Sequence, residues 1–217
     1  MKNVFFALLS AGSALGQVLS NPGFDEPHLA AGYLNVPAGS SGIPAWEVAT
    51  GDVDLLASGY YSGQTTQALD MNGSQAGGVC APVSLDPGTR YEITFHYRLN
   101  PSADRTQTLL ASWDGIPYVL VSAEPENDPN RASTLRAASF TIETDGTDSL
   151  SFQSLNGGIA GVLLDFATIR QAAFNSPLSS PLASVPEPGA VGAVTALGLL
   201  GYGVCRQISG GRARVAG

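Results

Sequence analysis

The chain has 217 residues, a formal net charge of −8 and charged residues at only 13%. Between residues 17 and 184, seventeen acidic residues face six arginines: Arg90, Arg98, Arg105, Arg131, Arg136 and Arg170. A domain of that sign lacks the positive field that phosphate binding needs, so nucleic acid is excluded as an expected partner. Calcium or neutral sugars suit it better. The 26 glycines and 14 prolines favour many short strands joined by turns over long helices, and all-β is the expected class. Cys80 and Cys205 fall in the domain and in a C-terminal apolar run, so they are expected neither to pair nor to hold zinc.

Met1 to Gly16 carries Lys2, then the apolar Val4-Phe5-Phe6-Ala7-Leu8-Leu9, and closes on Ala14-Leu15-Gly16. This is the pattern of a secretory leader, removed by signal peptidase so that the mature chain starts at Gln17. A short strand is expected at Val18-Leu19-Ser20, turned away by Asn21-Pro22-Gly23. A polar, Gly-rich loop follows to Gly42. Ala45 to Val48 and Val53 to Leu56 read as strands, Gly59-Tyr60-Tyr61-Ser62-Gly63 as an aromatic loop, and Gln67 to Met71 as a strand ended by Asn72-Gly73.

The clearest signal runs from Arg90 to Leu99. Tyr91, Ile93, Phe95, Tyr97 and Leu99 alternate with Arg90, Glu92, Thr94, His96 and Arg98, which predicts a half-buried antiparallel strand. Leu109 to Trp113 and Ile116 to Val121 flank Asp114-Gly115, a hairpin signature, and Pro117 places the second of them at a sheet edge. Ala138 to Ile142 and Leu150 to Phe152 predict two more strands. The last strand, Gly161 to Ile169, is apolar on both faces around one carboxylate, Asp165, which must be paired, metal-bound or directed to an edge. The domain over residues 17–171 is thus expected to be a two-sheet sandwich of about eight to ten strands. Residues 172–184, rich in Ser and Pro, read as a flexible linker.

Val185-Pro186-Glu187-Pro188 precedes a charge-free run of 17 residues, Gly189 to Cys205, and Arg206, Arg212 and Arg214 follow it. That run is at the short end of what crosses a bilayer, and the arginines favour a cytoplasmic end. The segment over residues 185–217 resembles the PEP-CTERM sorting signal of Gram-negative bacteria. The resemblance implies Pro186, Glu187 and Pro188 as the motif an exosortase recognises and a transient inner-membrane anchor at 189–205. The finished protein is then expected at the cell surface or in the extracellular matrix. A plain single-pass anchor is the alternative.

Five further stretches resemble the choice-of-anchor C family of bacterial surface proteins, whose domain is related to a plant cell-wall family. They are Asn21 to Pro27, Gly51-Asp52-Val53-Asp54-Leu55, Leu69 to Gly73, Pro87 to Phe95, and Leu164-Asp165. The resemblance implies a galactose-binding-like jelly-roll β-sandwich. This chain departs from the family in having Phe166 after the last-strand Asp. In the related sugar-binding modules, acids at the places of Asp25 and Asp165 share a structural calcium. The other reading makes Asp25 a turn-former and pairs Asp165 with an arginine or backbone amides.

No catalytic set is expected: His28 and His96 stand apart from any nucleophile, and Gly39-Ser40-Ser41-Gly42 is not a nucleophile elbow. Asp52 and Asp54 are the acids a weak glycan hydrolase would use. Pyranose rings stack on flat side chains, which makes Trp46, Tyr60, Tyr61, Trp113 and Tyr118 the aromatics to weigh. Trp46, in a strand, is expected in the core. Tyr60 and Tyr61 are the candidates for stacking, and polysaccharide is the expected partner.

Overall fold

The computed structural model describes residues 19–125, 134–173 and 175–183. The leader over residues 1–16, the motif Pro186-Glu187-Pro188 and the span 189–205 lie outside them. Among the described residues all regular structure is strand: β1 (Tyr33–Pro37), β2 (Glu47–Thr50), β3 (Asp52–Leu56), β4 (Ala68–Asp70), β5 (Gly78–Ser84), β6 (Arg90–Leu99), β7 (Gln107–Trp113), β8 (Ile116–Ala123), β9 (Arg136–Glu143), β10 (Thr147–Ser154) and β11 (Val162–Gln171). They pair antiparallel into two sheets, ordered β1-β3-β4-β11-β6-β9 and β2-β5-β10-β7-β8.

Strands β4 to β11 make a jelly roll by themselves. Their sheets are β4-β11-β6-β9 and β5-β10-β7-β8, and the chain changes sheet at every step except the β7–β8 hairpin. Strands β1 and β3 extend the first sheet beyond β4, and β2 extends the second beyond β5. At the hairpin Asp114 (φ 45°) and Gly115 (φ 75°) are both left-handed, as a two-residue turn matching the strand twist requires. Pro117 sits on β8, an edge strand, where the register with β7 slips.

The alternation of β6 holds: Tyr91, Ile93, Phe95, Tyr97 and Leu99 are all buried. The sheets meet through a run of rings. Phe24 lies 5.1 Å from Trp46, Trp46 6.0 Å from Phe152, and Phe152 5.1 Å from Phe95. Burying each such ring contributes about 2–3 kcal/mol against leaving it in water. Trp46 is therefore core, and its indole N–H donates to the Asn21 carbonyl (3.1 Å). Trp113 is buried too, donating to Asp148, while Tyr118 stacks on Phe140 at 5.1 Å.

Four expectations change. Leu19 and Ser20 form a bend and not a strand. The Gly-rich loop before Gly42 contains β1, and β5 joins the second sheet, so the count reaches eleven. Cys80, buried in β5, is disulfide-bonded, so the expectation of unpaired cysteines is not met. The segment read as a flexible linker is tied along the β9 and β8 edges. Ser179 N–H donates to Thr141 C=O (2.9 Å), Leu182 N–H to Pro117 C=O (2.9 Å) and the Arg90 guanidinium to Ser176 C=O (2.8 Å). Covering the rim of both sheets in this way blunts edges that would otherwise pair with other chains.

Candidate functional site

The outward face of the six-stranded sheet carries one cross-strand row, Asn35–Asp54–Asp70–Leu163–Arg98, from β1 to β6. On an ordinary sandwich that face is wet. Here Leu163, Asp70 and Arg98 are buried, at 0%, 2% and 7% exposure. The cover is the loop from Ala57 to Gln67, whose Tyr61 packs on a second apolar cluster of Leu56, Ala68 and Leu163.

Beneath that cover lies Asp165, the extra residue where the β11–β6 register slips between Leu164 and Phe166. A bulge re-aims its side chain. Arg98 Nε donates to Asp165 Oδ2 at 2.9 Å and Arg98 Nη2 to Oδ1, while the Thr66 hydroxyl, from the covering loop, donates to Oδ1 at 3.5 Å. Burial pushes the Asp165 carboxyl above its usual range, against the pull of Arg98, Thr66 and His96. Both oxygens thus serve a guanidinium. Asp25 is exposed and folds back over Gly23 beside Phe166: a methyl on Gly23 would lie 2.8 Å from Asp25 Oδ2 and 3.6 Å from the Phe166 ring. Arg98 therefore takes both oxygens of Asp165, while Asp25 stands exposed at its turn. Among the described residues no three His, Cys, Asp or Glu side chains gather to hold a metal.

Asp70 is the second buried acid. Its Oδ1 accepts the N–H of Asn72 (3.0 Å) and of Gly161 (2.9 Å), and its Oδ2 accepts the Asn100 amide. It ties the end of β4 to the start of β11 and the end of β6. Burial pushes its carboxyl up to about 7 against those donors, with Asp54 next to it in the row adding to the rise. Asn100 continues the chain of contacts, accepting Ser102 N–H at 2.8 Å, and the Ser102 hydroxyl lies 3.4 Å from the Tyr61 phenol.

Asp52 serves the fold. Asp52 accepts from Ser74 N–H (3.0 Å), Ser74 hydroxyl (2.7 Å) and Gln75 N–H (3.0 Å), closing the turn after β4. Burial alone would raise its pKa, but these bonds together with Asn35 hold it below the usual value. Asn35 Nδ2 bridges Asp52 (3.2 Å) and Asp54 (2.7 Å). Asp54 is half-exposed, and burial raises its pKa despite Asn35, with Asp52 adding to the rise.

The exposed aromatics lie at the β1 edge of the same face. Tyr60 is 42% exposed, Tyr61 half-buried, and their rings meet edge to face at 4.9 Å. Tyr33, on β1, is 58% exposed and stands edge to face with Tyr60 at 6.1 Å. Sequence reasoning missed it, although an aromatic in a polar, Gly-flanked stretch was the same signal that singled out Tyr60. The loop is fixed from within. Buried Gln64 donates to the Ala57 (3.2 Å) and Thr66 (2.9 Å) carbonyls, and its backbone accepts Gly59 N–H (2.9 Å) and donates to Tyr61 C=O (3.0 Å). Gly59 (φ 75°) and Gly63 (φ 85°) turn the chain at each side of the two tyrosines, conformations costly for other residues.

No family model matches the chain. Halomucin of Haloquadratum walsbyi is 28% identical over 165 residues, covering 72% of this chain and 2% of that protein. The chain therefore spans about 2% of the length of this curated relative. Among solved structures, a family 35 carbohydrate binding module from Clostridium thermocellum is 12% identical, with 65% of this chain and 100% of that one covered at a TM-score of 0.41. A CBM4 structure is 15% identical, with 71% and 99% covered at a TM-score of 0.39. The jelly-roll assignment rests on the strand order of the chain itself.

Two outcomes follow for the buried acids. Arg98→Ala strands the Asp165 carboxylate and should cost about 3–5 kcal/mol in urea unfolding, whereas Arg98→Met combined with Asp165→Leu should recover most of it. Equal losses in the single and double variants would contradict a buried pair. For Asp70 the folded pKa of about 7 exceeds the 3.8 of the free carboxyl, so the unfolded chain releases its proton first and stability falls as pH rises between them. Unfolding midpoints across that interval should drop more in wild type than in Asp70→Asn, and parallel profiles would refute the assignment.

Proposed function

We propose that the chain is an exported, non-catalytic protein of the cell surface or extracellular matrix, and that its sandwich binds polysaccharide at the aromatic corner around Tyr60. The observation that carries this reading is a ring 42% exposed on a loop that a buried glutamine ties down from within. A ring already held in place loses little freedom on binding, and a tyrosine offers both a flat apolar face and a hydroxyl. The C–H faces of pyranose rings fit that surface and their hydroxyls fit the polar groups beside it. Tyr61 supports the corner from below while covering Leu56, Ala68 and Leu163.

The leader pattern over residues 1–16 and the tripartite tail from residue 185 support export and sorting by an exosortase-type system, after signal peptidase and a transient inner-membrane stage. The non-catalytic reading is supported by the engagement of Asp52 in its turn and of Asp54 with Asn35. A matrix protein that packs without a specific glycan is the alternative.

A glycan array probed with the full chain tests the reading. Sugar-specific binding that weakens about tenfold or more in Tyr60→Ala, at an unchanged melting midpoint, is the expected result. A folded protein that binds no glycan would favour the structural alternative. Release of reducing sugar would overturn both.

A further inference from the structure

The rings at the β1 edge have polar neighbours on the same face. Val36 points to the core, so Tyr33 and Asn35, on either side of Leu34, share the outward face, about 7 Å apart along the strand. Across the pairing Tyr33 stands opposite Leu56 and Asn35 opposite Asp54. The exposed Asn35 amide donates to Asp54 at 2.7 Å, and Asp54 is itself half-exposed. Two rings at 82° thus border an amide–carboxylate pair on one patch of the outward face.

No described arginine hydrogen-bonds to that patch. Arg98 is committed to Asp165 below the loop, Arg90 reaches Glu143 and Ser176, and Arg105 is offset by Asp104 at 2.9 Å. Arg136 and Arg170 stand on β9 and β11, farther along the sheet from β1. Asp52 and Asp54 give the β1–β3 end of the face one sign of charge.

Resting on the glycan-binding reading above, we propose that Tyr33, Tyr60 and the Asn35–Asp54 pair form one subsite for an uncharged hexopyranose. The rings hold its C–H surfaces, Asn35 and Asp54 take its hydroxyls, and Asp54 sets specificity by repelling sugars that carry a carboxylate. A hydroxyl donates to a carboxylate in a charge-assisted bond, whereas a uronate brings a like charge to a site where, among the described residues, no arginine hydrogen-bonds to the acids.

Calorimetric titration of the full chain decides the matter, with β-glucan, galactan, mannan and dextran as neutral probes and polygalacturonate and alginate as charged ones. At least one neutral probe should bind about tenfold or more tighter than either charged probe. Tyr33→Ala should weaken neutral binding by a similar factor and Tyr33→Phe should retain it. Asp54→Asn should narrow the ratio between neutral and charged probes. Charged probes that bind as tightly as neutral ones would overturn the proposal. So would neutral binding lost in Tyr60→Ala but untouched in Tyr33→Ala and Asp54→Asn, a result that leaves the broader glycan reading standing. A folded wild type that binds none of the six probes removes both.

Discussion

The outward face of the larger sheet is arranged around one buried charge pair. Arg98 and Asp165 meet on neighbouring strands, β6 and β11, and both are buried. Two ions taken from water must find each other and further hydrogen bonds, or the site becomes a liability of several kcal/mol. Thr66 supplies one of those bonds, which draws the loop after β3 down over the sheet. Once that loop is down, Tyr61 seals Leu56, Ala68 and Leu163, Asp70 is cut off from solvent, and Tyr60 is left standing at the surface. The exposed ring thus stands on the same loop that covers the buried charges.

Such an arrangement gives the outward face two regions with different duties. Toward β6 it is closed, and its acids hold strands together: Asp70 joins β4, β6 and β11, as Asp52 joins β3 to the turn after β4. Toward β1 it is open, with Tyr33, Asn35 and Asp54 reaching solvent. The opposite rim is covered by the segment through Ser176, Ser179 and Leu182, which leaves β1 and the neighbouring loop as the open end of this face.

Legibility in the sequence followed wet and dry faces. Strand β6 was readable because its inward residues alternate without a miss, and the β7–β8 hairpin because Asp114-Gly115 demands a particular turn. Strand β5 was not: it holds Gly78 and Pro82 and is buried on both faces over most of its length, which erases period two. Strand β1 failed for the opposite reason, since as an edge strand four of its five residues are exposed. The need of Asp165 for a partner was visible, but Arg98 looked like one more polar residue on an alternating strand. A pairing that joins two strands 67 residues apart leaves no local mark. The stretches that suggested a family, from Asn21 to Pro27 and around Asp52 and Asp70, turn out to be places where a side chain ties separate segments together. Asn21 binds Glu26 and Pro44, and Phe24 plugs the core.

The central claim is that the loop over the outward face is a fixed part of the fold and not a mobile excursion from it. Native-state hydrogen exchange on the full chain tests this at the amides of Gly59, Tyr60 and Gln64, each of which donates within the loop. The account predicts protection approaching that of β4 and β11, because opening the loop would expose Asp70 and the Arg98–Asp165 pair together. Exchange of these amides at the rate of an unstructured peptide, with β4 and β11 still protected, would contradict it.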